Sequence, residues 1–374
     1  MNLNVPKEDQ MIKQQENTDF RFVLNDALKI FFKDAVKVSI KHPSQALYFL
    51  KTVRWQEQAS KRREKWEQQG IHVPPIVIFS ITHKCNLNCK GCYEKSIRPP
   101  AKKELTDKQI RDIIKQAHEL GISFVVAAGG EPFIRQDFFN ITKDYQDIIF
   151  VIFTNGLLLN EENIKKIKKQ KNVVPLISLE GCEEETDEKR GKGVYTRLEN
   201  TMKKLKKQDL FFGTSLTLTK SNFETITSET FIQNLINLGC KFFLFVEYNP
   251  IKPGTESWMV TQAQREKTMD IMRSFRQKWS ALFISVPGDE DEIGGCLAAG
   301  RGFIHISAEG DVEPCPFAPY SDMNLNNVSL KDALNSDFLK KIRENHAQIH
   351  GNSGSCALWE KRELVQSLLK ETKK

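Results

Sequence analysis

The sequence predicts an α/β protein: a partial (β/α)6 TIM-like barrel, with an N-terminal helical extension before it and a small irregular module after it. Three observations carry this reading. Short apolar, β-branched runs alternate with amphipathic helical stretches from Ile76 to Trp279, as in parallel β/α units. About six such units can be counted, fewer than the eight that close a TIM barrel. After Ile284 the rhythm stops, and Cys296, Gly300, Gly302, Gly310, Pro314, Cys315, Pro316 and Pro319 crowd together. A doubly wound sheet is the alternative. The expected division is a flexible tail over 1–19, the helical extension over 20–72, the barrel over 73–284 and the C-terminal module over 285–374.

Taken in order, Phe20 to Gly70 reads as helix, with Phe22, Leu28, Phe31, Phe32, Val36, Leu47 and Leu50 spaced between lysines and arginines. His42-Pro43 breaks it in two, with Ser44 as the expected cap of the second helix. Gly70, Pro74 and Pro75 end the segment. Strands are expected at Ile76–Ile81, Phe124–Ala128, Ile149–Phe153, Val174–Leu179, Gly213–Thr219 and Phe242–Tyr248. Helices are expected at Thr106–Leu120, Gln136–Tyr145, Asn160–Lys171, Val194–Lys207, Phe223–Leu238 and Gln262–Trp279. Thr106 is a plausible cap and Gly121 a stop. Asn345 to Ser355 reads as a polar loop before Cys356 and a final helix near Ala357–Leu369.

The chain has 374 residues, 40% hydrophobic and 28% charged, with a net charge of +7. That is ordinary for a globular protein. The mild, dispersed excess does not call for nucleic acid. No run is long and apolar enough to cross a membrane, and Met1 to Asp19 has no apolar signal core, so a cytoplasmic location is expected. Eight cysteines in that setting point to ligands or free thiols more than disulfides.

Cys85, Cys89 and Cys92 lie in the loop after the first strand, at the end of the β/α units where sites assemble. Three spaced thiolates can wrap one cubane and leave its fourth iron open. Zinc, with nearby His83 as fourth ligand, and inert thiols are the alternatives.

Cys85-x-x-x-Cys89-x-x-Cys92 resembles the cluster motif of the radical S-adenosylmethionine (SAM) superfamily. The resemblance implies an oxygen-sensitive [4Fe-4S] enzyme whose open iron chelates SAM. Reductive cleavage then gives methionine and a 5′-deoxyadenosyl radical that takes hydrogen from a substrate. An electron donor such as flavodoxin or ferredoxin is implied too. The family often has an aromatic residue before the third cysteine; here that position is Gly91, and Tyr93 follows the trio.

Other segments match in order. Gly129-Gly130-Glu131-Pro132 resembles the segment that meets the methionine ammonium, and glycines allow close backbone approach. Thr154-Asn155-Gly156 follows the third strand and adds Asn155 to the SAM-site candidates. Ser178-Leu179-Glu180-Gly181 resembles the ribose-contacting segment, through Ser178 and Glu180. Asp187-x-x-Arg190-Gly191 resembles the segment whose arginine pairs with the methionine carboxylate, which suits a guanidinium fork. Read alone, each could be a turn or a surface charge.

Cys296, Gly310 and Cys315 resemble the opening of a SPASM or twitch extension, which carries auxiliary iron–sulfur clusters. Only Cys356 follows, fewer cysteines than a full SPASM domain has. That implies one auxiliary cluster at most, on Cys296, Cys315 and Cys356, with His305, His346 or His350 among the candidate fourth ligands. Cys182 and Cys240 have no partner at ligand spacing.

The resemblance favours peptide or protein modification. A lipid or small-molecule substrate is the enzymatic alternative, and a non-catalytic electron carrier or metal-binding protein the other class. The first helices are expected to pack; their apolar-and-lysine pattern also fits contact with an anionic membrane surface.

Overall fold

The computed structural model describes residues 20–40, 43–97, 103–289, 295–349 and 356–372. The expected tail over 1–19 and His42 lie outside the described residues. Two helices come first, α1 (Phe20–Val38) and α2 (Pro43–Glu67). Pro43 is itself the first helical residue of α2. Its missing N–H costs nothing there, so Ser44 lies inside the helix and does not cap it.

Seven parallel strands follow in chain order: β1 (Ile76–Thr82), β2 (Phe124–Gly129), β3 (Ile149–Thr154), β4 (Val173–Leu179), β5 (Gly213–Leu218), β6 (Phe242–Glu247) and β7 (Leu282–Val286). Past β1, on the other side, lie β8 (Phe303–Ile306), β9 (Asp311–Glu313) and β10 (Met323–Asn324). β8 pairs parallel with β1; β9 and β10 are antiparallel. The sheet is open, with β10 and β7 as its edges. The expected six strands gain β7 and β8. β7 begins only three residues after Trp279, with no turn signal before it. His305 in the middle of β8 disguises that strand, and its ring is buried between Ser80 Oγ at 2.9 Å and Glu313 Oε2 at 2.7 Å.

The helices on the outer face bury the alternate strand residues, among them Val125, Phe150, Ile177 and Phe243. The helix Asp107–Leu120 shows how local sequence sets this layer. Thr106 and Gln109 form a capping box, Gly121 stops the helix at φ 93°, and Ile110, Ile113, Ile114 and Ala117 face the sheet.

The concave face is divided along its depth. Its floor is filled by α1 and α2. Phe32 stacks on Phe124 at 5.3 Å, Phe31 meets Phe242 edge-on at 5.7 Å and Phe49 meets Phe211 at 4.9 Å. These partners stand at strand beginnings. Further along, Ile78, Val126, Phe153, Ser178, Ser215 and Leu244 on the same face are only half-buried. A lumen therefore opens toward the strand ends, apolar on most strands and hydroxyl-lined on β4 and β5.

Candidate active site

The rim of that lumen carries the candidate residues. The loop after β1 is anchored at its start by Glu104. One Glu104 oxygen accepts from His83 N at 2.8 Å and Thr82 Oγ1 at 3.0 Å, and Arg135 Nη2 donates to the other at 3.2 Å. Burial would raise the Glu104 carboxyl, but these donors outweigh it and hold it below the usual range.

His83 is engaged at both ring nitrogens, by Glu94 Oε1 at 2.5 Å and by Glu309 Oε1 at 2.7 Å. Burial opposes its charge, yet the two carboxylates raise it to about 9, and Glu309 is lowered to about 2. His83 therefore has no lone pair to offer a zinc ion as fourth ligand. Among the described residues, no group of three or more His, Cys, Asp and Glu side chains is placed to hold a single metal ion.

Cys85, Cys89 and Cys92 are free and partly exposed. Asn155 Nδ2 donates to Cys85 Sγ at 3.7 Å and to Asn86 Oδ1 at 2.7 Å. Lys90 N donates to Lys189 O at 2.8 Å, and Lys95 Nζ to Leu87 O at 2.9 Å. Burial raises the Cys89 thiol; Arg190 opposes this, and Cys92 and Cys85 add to it. A cationic iron–sulfur core would offset what opposes the Cys89 thiolate.

Gly129 and Gly130 serve a purpose not foreseen from the sequence. A Cβ on Gly129 would lie 2.4 Å from Thr82 O, and one on Gly130 2.2 Å from Lys84 O. Their bareness lets the β2 loop lie against the backbone of the cysteine loop. Glu131 is fully buried and engaged by protein donors. Oε1 accepts from Phe133 N and Thr154 Oγ1, and Oε2 from Asn155 N at 2.7 Å. It fixes the β3 loop and so aims the Asn155 amide at Cys85. Burial raises the Glu131 carboxyl despite these bonds.

Ser178 faces the lumen, half-buried near the end of β4. Beyond it, buried Glu180 is clasped by Lys189 Nζ at 2.6 Å and by Arg190 Nε at 3.0 Å and Nη2 at 2.5 Å. Burial alone would raise Glu180, but the two cations hold it below the usual carboxylate range. One carboxylate between two cations leaves a net positive group, suited to an anion.

Sequence reading missed the aromatic residues at this rim. Gly91 has φ +67°, and a Cβ there would lie 2.6 Å from the Trp258 ring and 3.2 Å from Tyr248 Oη. Tyr248 and Trp258 pack at 5.3 Å, and Lys189 Nζ stands 5.8 Å over the Tyr248 ring. The loop after β6 thus fills the space that an aromatic residue at position 91 would take. The only signal in the sequence was the glycine itself.

The C-terminal cysteines also meet. Buried Cys315 is raised first by its hydrogen bond with Cys356, then by burial, and further by Cys296. Tyr93, next to Cys92, meets Phe317 edge-on at 5.4 Å, which brings the two cysteine sets to neighbouring loops. Of the suggested fourth ligands, His305 is committed to Ser80 and Glu313, His346 contacts Arg301, and His350 lies outside the described residues. Cys240 is buried against Met202 Sδ at 3.6 Å, and Cys182 is exposed with its thiol raised by burial and Glu185, so neither is an activated thiolate.

An open sheet with one three-cysteine loop at its rim and a second cysteine set beside it is an arrangement suited to iron–sulfur clusters. Residues 79–228 match the radical SAM superfamily and 296–357 an iron–sulfur cluster-binding domain, SPASM. The chain thus carries a radical SAM domain followed by a SPASM domain, and the first of these implies a [4Fe-4S] cluster and SAM as cofactors. It is 28% identical over 315 residues to the AdoMet-dependent heme synthase of Methanosarcina barkeri, covering 76% of this chain and 89% of that one. It is 24% identical over 277 residues to the sporulation killing factor maturation protein SkfB of Bacillus subtilis, covering 70% of this chain and 64% of that one. The structure of Streptococcus suis SuiB bound to the precursor peptide SuiA aligns with TM-score 0.60 at 19% identity, over 79% of this chain and 71% of that one.

Proposed function

We propose that this radical SAM enzyme modifies a peptide or protein, with Cys85, Cys89 and Cys92 holding the catalytic cluster. The carrying observation is the placement of these thiols beneath the Asn155 amide and beside the Glu180–Lys189–Arg190 group, at the mouth of an open lumen. Bound there, the cluster and SAM would supply the chemistry of reductive cleavage and hydrogen abstraction. The chain's own residues bind and orient. The Gly129 and Gly130 carbonyls are the acceptors for the methionine ammonium, since both Glu131 oxygens are engaged. Arg190 takes the methionine carboxylate and Ser178 a ribose hydroxyl, while Glu180, with both oxygens engaged, holds Lys189 and Arg190 in place. Trp258 and Tyr248 wall the adenine side. The Asn155 N–H on Cys85 stabilises thiolate charge, a recognised control on cluster potential.

Cys296, Cys315 and Cys356 hold one auxiliary cluster. Eight cysteines outside any disulfide among the described residues fit a reducing compartment, so the cytoplasm is the proposed location, with flavodoxin or ferredoxin as electron donor.

A peptide is favoured because SuiB binds its precursor peptide on this fold and SkfB is a maturation protein. A small molecule is the second reading, favoured by the heme synthase relative. Anaerobically reconstituted protein would be incubated with SAM, reductant and either a deuterated peptide or an iron porphyrin. Deuterium in 5′-deoxyadenosine from the peptide supports the proposal; transfer from the porphyrin alone overturns the substrate class. No 5′-deoxyadenosine from iron-loaded protein overturns the activity. Alanine at Cys85, Cys89 and Cys92 together should leave the auxiliary iron bound; complete loss of iron would remove the second cluster.

A further inference from the structure

We infer that the outward face of the α1–α2 hairpin docks on the surface of an anionic lipid bilayer. The four most exposed large hydrophobic residues among those described all lie here: Ile30 at 59%, Ile40 at 68%, Leu47 at 54% and Leu50 at 59%. The opposite face of the same helices is committed, since Phe32, Ala35, Tyr48 and Phe49 are buried on the concave sheet. Two neighbouring helices seated on one surface turn their remaining faces the same way.

Cations interleave with the aliphatics at helical spacing. On α1 the exposed stripe runs Ile30, Lys33, Lys37 and then Ile40 beyond its end; on α2 it runs Leu47, Leu50, Lys51 and Arg54. Asp34 offsets Lys37 at 2.8 Å, and exposed Lys33, Lys51 and Arg54 leave the stripe a positive excess.

This pattern decides between occupants. Protein interfaces deplete lysine at their centre. Lysine stems among aliphatics instead suit a lipid boundary, where the chains lie on the acyl surface and the ammonium groups reach the phosphates. A second copy would set Lys33, Lys37, Lys51 and Arg54 against their equivalents, which like-charge repulsion opposes. Among the described residues no helix is long and apolar enough to cross a membrane, so the contact is peripheral. The hairpin packs at the strand beginnings and the cysteine loop lies at the strand ends. A bilayer bound to the hairpin leaves the mouth of the lumen facing solvent.

The test uses the full-length, iron-loaded protein under anaerobic conditions, sedimented with phosphatidylglycerol or phosphatidylcholine vesicles. Binding to phosphatidylglycerol alone is expected, with loss between about 0.05 and about 0.5 M salt. Each of Lys33→Gln and Lys51→Gln should weaken it roughly fivefold. The Leu47→Asp/Leu50→Asp variant should abolish it while keeping the circular dichroism spectrum and SAM cleavage. No sedimentation with phosphatidylglycerol at low salt overturns the inference. So does binding unchanged in Leu47→Asp/Leu50→Asp. A concentration-dependent dimer lost in that variant assigns the face to self-association and overturns it equally.

Discussion

Removing the Glu309 charge, with Glu309→Gln, should expose how much the His83 bridge stabilises the protein and over what pH range. His83 is raised from its ordinary 6.5 to about 9. At about 1.4 kcal/mol per tenfold change in proton affinity, that shift corresponds to ~3 kcal/mol. The partners' side chains are only 10% exposed, so solvent screens the pair little. The Glu309 shift to about 2 describes the same pair from its other side and is not added.

The sign follows from both partners. A raised histidine contributes in full below about pH 6.5, and the contribution is lost as pH rises through about 9. A lowered carboxylate contributes in full above about pH 4.3, and the contribution is lost as pH falls toward about 2. The bridge is therefore complete between about pH 4.3 and about 6.5 and weakens on either side. Glu94 remains in the variant, so a loss of about 2–3 kcal/mol is expected near pH 6. The gap from wild type should close by about pH 10. Urea unfolding of both proteins, with iron content followed in parallel, measures this. A gap that stays constant from about pH 6 to about pH 10 would refute the reasoning.

Three further outcomes are expected. Gly130→Ala must part the two rim loops, since its Cβ would meet Lys84 O at 2.2 Å; iron at the first site should fall while auxiliary iron stays, read by iron assay and electron paramagnetic resonance. Trp258→Ala should weaken SAM binding about tenfold, measured by equilibrium dialysis, and unchanged affinity would remove the ring from the cofactor wall. Phe32→Ala, which empties a fully buried site stacked on Phe124, should cost about 3–5 kcal/mol in denaturant unfolding.

Much of the barrel was legible because its strands are buried on both faces and read as unbroken apolar runs, as at Ile149–Thr154. The cysteine loop was legible because its three thiols lie within eight residues. What stayed hidden depends on contacts between distant residues. His83 looked like a spare zinc ligand because Glu309, its partner 226 residues away, cannot be read from spacing. β8 was obscured because only Ser80 and Glu313 make a buried histidine tolerable in a strand. Phe31 and Phe32 announced a packing face, yet not that it would fill the floor of a barrel. The glycine pair was read as allowing close approach of a ligand, and spacing could not show that it also lets the Thr82 and Lys84 carbonyls approach.

The pairing of β1 with β8 also orders events in time. One edge of Ile76 to Phe79 pairs with β2, but the other finds its partners only at Phe303 to Ile306, more than two hundred residues on. On the ribosome β2 to β7 emerge first, and the strand leading into Cys85 keeps an unpaired edge until the chain is nearly finished. The same late arrival delivers Glu309 to His83 and Phe317 to Tyr93. Until then the first cysteine loop lacks its C-terminal wall. One side of the loop that carries Cys85, Cys89 and Cys92 is therefore built by the last part of the chain to be made.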